Sequence, residues 1–386
     1  MLSHLLTAVR IVSLLATVAS LSYAVFSIAC IKRFRKQLRR HAGGCRPAVT
    51  VLKPLHGMDS QLYDNLRSFC EQDYPEYQII FAAADQKDPA VAVVRRLIAE
   101  QPARDLSLVV NAREIGSNRK ISNVANAYDL AKHDLIVIAD SDMRVGPDYL
   151  AQVAAGFEEK GVGAVTCLYV GAPSGGLASR LGSMFINESF LPSVLVALRL
   201  QDLKFCFGAT MAMRRQALDD IGGFEALASY LADDYMLGKL VSDKGYKVNL
   251  APYVVKNVVY EPDLKSLLQH ELRWARTVRT VRPAGYAFSV LTQPLPMSLL
   301  LLALQPALHS VLFVAAALLL RTVQHYTVRD AFGITAPAAP WLVPVRDLLY
   351  FAVWAASFFG RDVQWRDAKF AVTRNGHMTL TGELLP

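Results

Sequence analysis

The chain has 386 residues, of which 53% are hydrophobic and 19% charged, and its net charge is +8. At a mean hydropathy of +0.26, intrinsic disorder is excluded, because there is ample apolar surface to bury. The same figure argues against a wholly soluble protein, and the charged middle of the chain argues against a polytopic transporter. A soluble unit with a few spans of about 20 residues each fits both.

In chain order, the first feature is residues 11–31, which carry no charged side chain. The run is long enough to cross a bilayer as a helix. A signal peptide would have a shorter apolar core and a small-residue cleavage site. Here the run ends instead in Lys32, Arg33, Arg35, Lys36, Arg39 and Arg40. An uncleaved anchor is expected, and the positive-inside rule puts Lys32 and the chain beyond it in the cytoplasm. Basic residues placed beside an apolar run favour a membrane surface and not nucleic acid. Cys30, Cys45, Cys70, Cys167 and Cys206 form no CxxC pair. This speaks against a disulfide framework or thiolate zinc site and for a reducing compartment.

From residue 48 to about 281 strand and helix patterns alternate. Strands are predicted at 49–52, 77–84, 106–110, 135–139 and 162–167, and helices at 61–71, 89–100, 122–132 and 147–158. That rhythm predicts a largely parallel α/β sheet with helices on both faces. Ligands of such sheets bind outside the carboxyl ends of the strands. Residues 284–320 then form a second block without Asp, Glu, Lys or Arg. It is about right for two spans, with breaks at Pro294, Pro296 and Pro306. A third stretch, 345–360, contains Arg346 and Asp347, so a re-entrant or interfacial helix is the alternative to a span. Basic residues come after both late blocks: Arg321 and Arg329, then Arg361, Arg366, Lys369 and Arg374.

Asp140-Ser141-Asp142 comes directly after a predicted buried strand. Two carboxylates at i and i+2 can reach one hard cation, Mg²⁺ or Mn²⁺, which commonly bridges diphosphate oxygens. A polar turn ending the strand would look the same. Asp85 succeeds another strand and either accepts hydrogen bonds from a nucleoside or closes an Asx turn. Asp233-Asp234 could tune one carboxylate as a general base, or could be the acidic first turn of a helix. Lys120 and Asn123 open a helix and could meet a phosphate or ribose, or belong to an ordinary helix start capped by Asn118. His270, Arg273 and Trp274 share one helical face. That face could hold a diphosphate and stack on a sugar or acceptor, or lie on a membrane surface as a basic amphipathic helix.

Taken in order, these pieces resemble a family-2-type glycosyltransferase with a GT-A fold. The likeness is carried by Val51-Leu52-Lys53-Pro54-Leu55-His56-Gly57, Asn65-Leu66-Arg67-Ser68-Phe69, Gln72-Asp73-Tyr74-Pro75, Asp85, the Asp140 and Asp233 acid pairs and His270-Glu271-Leu272-Arg273-Trp274. The chain is most similar to the ceramide glucosyltransferase-like family 21. Within it, Ser117-Asn118-Arg119-Lys120, Phe207-Gly208-Ala209-Thr210 and Leu231-Ala232-Asp233-Asp234-Tyr235 resemble the hopanoid biosynthesis-associated members. Animal ceramide enzymes lack the second acid of Asp140-Ser141-Asp142, and the family usually has Gln or Arg where this chain has His270.

The resemblance implies that Pro54, Asp85 and Lys120 bind a UDP-sugar donor. It implies that Asp140 and Asp142 hold its diphosphate through the metal, and that Asp234 is the catalytic base. Asp233, His270, Arg273 and Trp274 would line the junction of donor and acceptor. The expected reaction is inverting transfer, with N-acetylglucosamine favoured as the sugar and the hopanoid bacteriohopanetetrol as the acceptor. Glucosyl transfer to ceramide or another lipid is the alternative, ahead of a processive polysaccharide synthase or a non-catalytic scaffold. The expected layout is an anchor and basic flank at 1–40, a GT-A domain at 47–283, transmembrane or interfacial helices at 284–360 and a cytoplasmic tail at 361–386. The expected location is a bacterial inner membrane, with several spans and the catalytic domain cytoplasmic.

Overall fold

A computed structural model describes residues 1–38, 44–360, 362–365, 368–373 and 376–383. Arg39, Arg40, Arg361, Arg366 and Arg374 of the expected basic flanks lie outside the described residues. The chain forms two compact units. One comprises Leu38–Ser174, Asp202–Tyr260 and Gln364–Pro386, and the other Met1–Gln37, Gly175–Gln201 and Glu261–Val363. Residues 47–283, expected as one domain, therefore contribute to both.

The first unit is built on a mixed, mostly parallel sheet. Its strands are β1 (Val49–Pro54), β2 (Tyr77–Ala83), β3 (Asp105–Val110), β4 (Leu135–Ile138), β5 (Met143–Arg144), β6 (Val162–Pro173), β7 (Met211–Arg214) and β8 (Lys247–Val259). Their order is β3-β2-β1-β4-β7-β6-β8-β5. β1 lies between β2 and β4, parallel to both, with Val49 opposite Tyr77 and Leu135. Every residue of β1, β2 and β4 is buried, as strands covered on both faces require. Side chains alternate across the sheet. Val49 and Val51 of β1 join a core with Leu62, Leu66, Val94 and Leu97, and Leu52 joins one with Ile121, Val124 and Leu237.

Helices Leu62–Cys70, Pro89–Glu100 and Arg119–Tyr128 stand close to where the periodicity puts them. The antiparallel strand β7 between β4 and β6 was not anticipated. Neither was the long strand β8, parallel to β6. β7 is only four residues long, too short for a periodic signal. Three further strands, Asp362–Trp365, Ala368–Val372 and Met378–Glu383, form a small sheet in what was expected to be a plain tail.

The second unit is helical. Among the described residues, Ser3–Gln37, Leu177–Leu200 and Leu308–Phe332 are long and apolar enough to cross a membrane. Pro283–Thr292 and Pro294–Leu304 together pass the same test but are bent by 71° at Gln293. Pro294 has no N–H to continue the preceding turn, so the break falls where proline demands it. Leu177–Leu200 was not foreseen as an apolar span. Helix Val343–Ser357 carries Arg346 and Asp347, both buried. Arg346 donates to Glu271 at 2.6 and 2.7 Å, and Asp347 accepts from Arg321 at 2.7 Å. Paired in this way, the charges that compromised the stretch in the sequence are not presented to a bilayer.

Candidate active site

Strand β4 delivers the first acids. Its last residues lead through Ala139 to Asp140, Ser141 and Asp142. Ser141 donates to Asp59, so the middle residue of the turn is tied sideways. Asp142 Oδ2 accepts from Asn257 Nδ2 at 2.7 Å, and the Asp142 carbonyl accepts from Val258 N at 2.8 Å. Strand β8 thus grips the turn opposite the strand that carries it. Beneath it, Lys53 of β1 is fully buried. Its Nζ donates to the Asp140 carbonyl at 2.6 Å and lies 3.7 Å from the Phe69 ring centroid. Burial brings the Lys53 pKa down to about 7 against the pull of Asp140 and Asp142.

The second acid pair opens helix Asp233–Asp243. First-turn placement is favourable for both carboxylates. Asp234 Oδ1 accepts from Tyr235 N at 2.7 Å and Oδ2 from Gly208 N at 2.9 Å. Gly208 lies between the two acid pairs. A Cβ there would stand 3.3 Å from Asp140 Oδ2 and 3.5 Å from Asp234 Oδ2, so a side chain would fill the space the carboxylates share. Gly238 permits the approach of this helix, because a Cβ on it would come within 2.4 Å of the Phe205 Cα.

Lys120 joins the pairs. Its Nζ lies 2.8 Å from Asp140 Oδ1 and 3.1 Å from Asp233 Oδ2. Asn118 does cap the helix, its side chain accepting from Ile121 N at 3.1 Å, while Lys120 is committed to carboxylates. Asn123 is buried and donates to the Leu55 carbonyl, which gives it a structural part. The approach to Asp233 is fixed from two further sides. Asn118 Nδ2 donates to the Tyr230 carbonyl, while Leu231 N donates to the Gly376 carbonyl and Met378 N to that of Ser229.

Electrostatics separate the acids. Burial, then Asp140 and Asp59, raise the Asp142 pKa to about 7, with Asn257 and Lys53 opposing. Burial, then Asp233, raise that of Asp234 to about 6, with Lys120 opposing. Asp142 Oδ1 is buried with no hydrogen-bond partner among the described residues. A carboxylate oxygen left so, beside a second carboxylate, suits a hard cation. No group of three or more His, Cys, Asp or Glu able to hold an ion occurs among the described residues.

Pro54 ends β1 and is buried. Asp85 comes after β2, is exposed, and accepts from Lys87 N at 2.9 Å in an Asx turn. His270, Arg273 and Trp274 belong to helix Leu264–Val281 in the other unit. There His270 and Trp274 pack ring to ring at 4.2 Å. Sequence reasoning assigned nothing to Lys53, Asp59, Asn257 or the tail. A lysine inside an otherwise apolar strand was a usable signal for the first; Asn257 gave none.

A model of glycosyl transferase family 21 matches residues 12–378 of this chain. Ceramide glucosyltransferase 3 of Caenorhabditis elegans is 28% identical over 250 residues, covering 64% of this chain and 53% of that protein. Ceramide glucosyltransferase 1 of the same organism is 29% identical over 208 residues, covering 54% and 44%. The matches thus span about half the length of these relatives. Among solved structures, a mannosyltransferase from Pyrobaculum calidifontis, in complex with GDP-Man and Mn²⁺, aligns over 91% of this chain and 99% of its own. Its TM-score is 0.53 and its identity 17%, a likeness of GT-A-type fold.

The ion pair between Lys120 and Asp233 should be measurable as a coupling. Lys120→Met is expected to destabilise the solubilised chain more in the native background than in Asp233→Asn, with a coupling energy of about 1–3 kcal/mol. Thermal unfolding of the two single variants and the double variant checks it, and strictly additive losses would refute the bridge.

Proposed function

Because the chain belongs to glycosyl transferase family 21, we propose that it is a membrane-bound enzyme transferring a sugar from a UDP-sugar to a lipid hydroxyl. The carrying observation is the convergence of both acid pairs on Gly208, with Asp234 raised towards neutrality. Asp234 takes the proton of the acceptor hydroxyl. The freed oxygen attacks the anomeric carbon as the bond to the UDP oxygen breaks on the opposite face. One such displacement turns an α-linked donor into a β-glycoside. Asp140 and Asp142 would hold a divalent ion, Mg²⁺ or Mn²⁺, which would supply positive charge for the diphosphate. Lys53 and Ser141 keep the acid turn in place beneath it. Pro54 and Asp85 stand at strand ends suited to the nucleoside. Lys120 offers charge close to the diphosphate, while His270, Arg273 and Trp274 serve the acceptor.

The relatives named above favour ceramide, or a similar lipid, and UDP-glucose as the substrates. A second reading is N-acetylglucosamine transfer to bacteriohopanetetrol. It is favoured by the complete Asp140-Ser141-Asp142 pair together with Ser117-Asn118-Arg119-Lys120. Purified protein offered each donor with each lipid, and its products weighed by mass spectrometry, distinguishes the two. No glycolipid from any pairing would reject lipid glycosyl transfer.

Two substitutions divide the machinery. Asp142→Ala is expected to abolish the Mn²⁺ dependence of UDP-sugar binding, read by titration with and without the ion. Asp234→Asn is expected to leave donor affinity unchanged and to lower kcat by about 10²–10⁴-fold. Since the base must be ionised, native turnover should fall as pH drops through about 6. An acid limb unchanged in Asp234→Asn would assign it to another group.

UDP-sugars are made in the cytoplasm, so the sheet unit is placed on that side, in agreement with the basic residues Lys32, Arg33, Arg35 and Lys36 after the first apolar run. Cys45 is exposed, while Cys30, Cys70, Cys167 and Cys206 are buried. An impermeant maleimide should therefore label Cys45 in lysed cells and spare it in intact ones. Rapid labelling of intact cells would put the sheet unit outside.

A further inference from the structure

The reaction as proposed leaves the hairpin of strands Ala368–Val372 and Met378–Glu383 without a task. The hairpin belongs to the same compact unit as both acid pairs. Its strands run antiparallel with Val372 opposite Met378, and its end at Gly376–Met378 meets two other backbone segments. Leu231 N donates to the Gly376 carbonyl at 3.1 Å and Met378 N to the Ser229 carbonyl at 2.8 Å. Ser117 Oγ donates to the Met378 carbonyl at 3.0 Å. The His377 ring lies 4.1 Å from that of Tyr230. The other two segments are bonded to each other as well. Asn118 N donates to the Ala228 carbonyl at 2.7 Å, and Asn118 Nδ2 to that of Tyr230 at 2.9 Å. They approach so closely that a Cβ on Gly116 would stand 2.4 Å from the Ala228 oxygen. Residues 116–118, 228–231 and 376–378 thus form a closed triangle with hydrogen bonds along every side.

Two corners of the triangle lead directly to the charges of the site. Lys120 comes just after Ser117, and Asp233 just after Leu231. The helix that opens with Asp233 needs support from outside, because its N-cap, Ala232, has no side-chain group to bond the first turn. The segment before it therefore sets where Asp233 and Asp234 stand. The third corner carries neither carboxylate nor ammonium, so its effect passes through the other two. In an antiparallel pair the N–H and carbonyl of one residue point to the same side. Those of Met378 go to Ser229 and Ser117, so the hairpin does not use them and the clamp does.

We propose that Gly376–Met378 is a positioning segment for glycosyl transfer, which holds Ser229–Leu231 against residues 116–118 and so keeps Asp234 where it can take the acceptor proton. This rests on the reading of Asp234 as the base. The tail residues act through Asp234.

The test is a double-mutant cycle in kcat. The full chain is assayed with UDP-glucose and ceramide, or with UDP-N-acetylglucosamine and bacteriohopanetetrol, whichever pair the native protein turns over. Met378→Pro lacks the N–H that Ser229 accepts, and His377 already sits in an extended bridge to Tyr230, as a residue before proline should. The variant should lower kcat about tenfold, the worth of one hydrogen bond. It should leave the UDP-sugar Kd within about twofold, and Met378→Leu, which keeps the N–H, should hold kcat within about twofold of native. In an Asp234→Asn background, where no base remains to be placed, Met378→Pro should cost less than about twofold. If Met378→Pro fails to fold, shown by lost UDP-sugar binding, Ser117→Ala takes its place in the cycle. It removes only the hydroxyl on the Met378 carbonyl and should lower kcat about threefold. Equal falls in the native and Asp234→Asn backgrounds overturn the proposal, as does an unmoved kcat in Met378→Pro or an equal loss in Met378→Leu. Near-native turnover in Asp234→Asn overturns the base and this inference with it. A native protein that glycosylates no lipid overturns the functional reading as a whole.

Discussion

Four carboxylates at one end of a sheet repel one another, and the fold gathers Asp140, Asp142, Asp233 and Asp234 by placing ammonium groups among them. Lys120 lies within ion-pair distance of an acid from each pair. It comes from a third element, a helix capped by Asn118, and the same Asn118 also ties the loop before Asp233. One side-chain cluster thus sets the separation of strand β4 from helix Asp233–Asp243. Without a cation between them, acids this enclosed would take up protons or move apart. Enclosure has already raised Asp142 and Asp234, although both have polar partners.

Lys53 plays the same part from below. A lysine with no exposed surface is costly unless its charge is answered. Here a peptide carbonyl and an aromatic face answer it, with the acid turn above. The turn is therefore fixed through its backbone, and its carboxylates remain available. Asp142 uses one oxygen to hold Asn257 and leaves the other without a hydrogen bond. An arrangement that leaves a carboxylate oxygen bare inside a protein is consistent with a binding partner brought from outside.

The helical unit meets the converse demand. Its helices are apolar on the outside, yet Glu188, Glu271, Arg321, His325, Arg346 and Asp347 are buried within it. They occur as mutual partners: Arg346 with Glu271, Arg321 with Asp347, His325 with Glu188. In a low-dielectric surrounding such pairs bind strongly only to a matched partner, so they fix which helices meet and in what register. Glu261 with His270 belongs to this pattern, with the difference that half of the pair reaches the surface.

Much of this was legible beforehand, because it depends on local chemistry. Burial on both faces leaves continuous apolar strands, so β1, β2 and β4 could be read directly, and Asp140 could be placed at a strand end by counting from Leu135. Helix Pro89–Glu100 carries its own start signal in Asp88 and Pro89. Charge-free runs announced the first and last long apolar helices. Local pattern carried no information about which element lies beside which. β7 is short and runs against its neighbours, and Asn257, more than a hundred residues beyond Asp142, is an unremarkable residue until β8 brings it there. Arg346 and Asp347 looked unfit for an apolar helix because their partners are 75 and 26 residues away. The sequence by itself determined the continuous apolar strands β1, β2 and β4, helix Pro89–Glu100, the first and last apolar runs and the resemblance to family 21. The tertiary structure alone decided that Lys120 pairs with acids and that Lys53 supports a turn from within. It also decided that the middle helix Leu177–Leu200 belongs with the apolar unit. Long-range pairing energy depends on distance in space, and distance in space is written nowhere in a single stretch of residues.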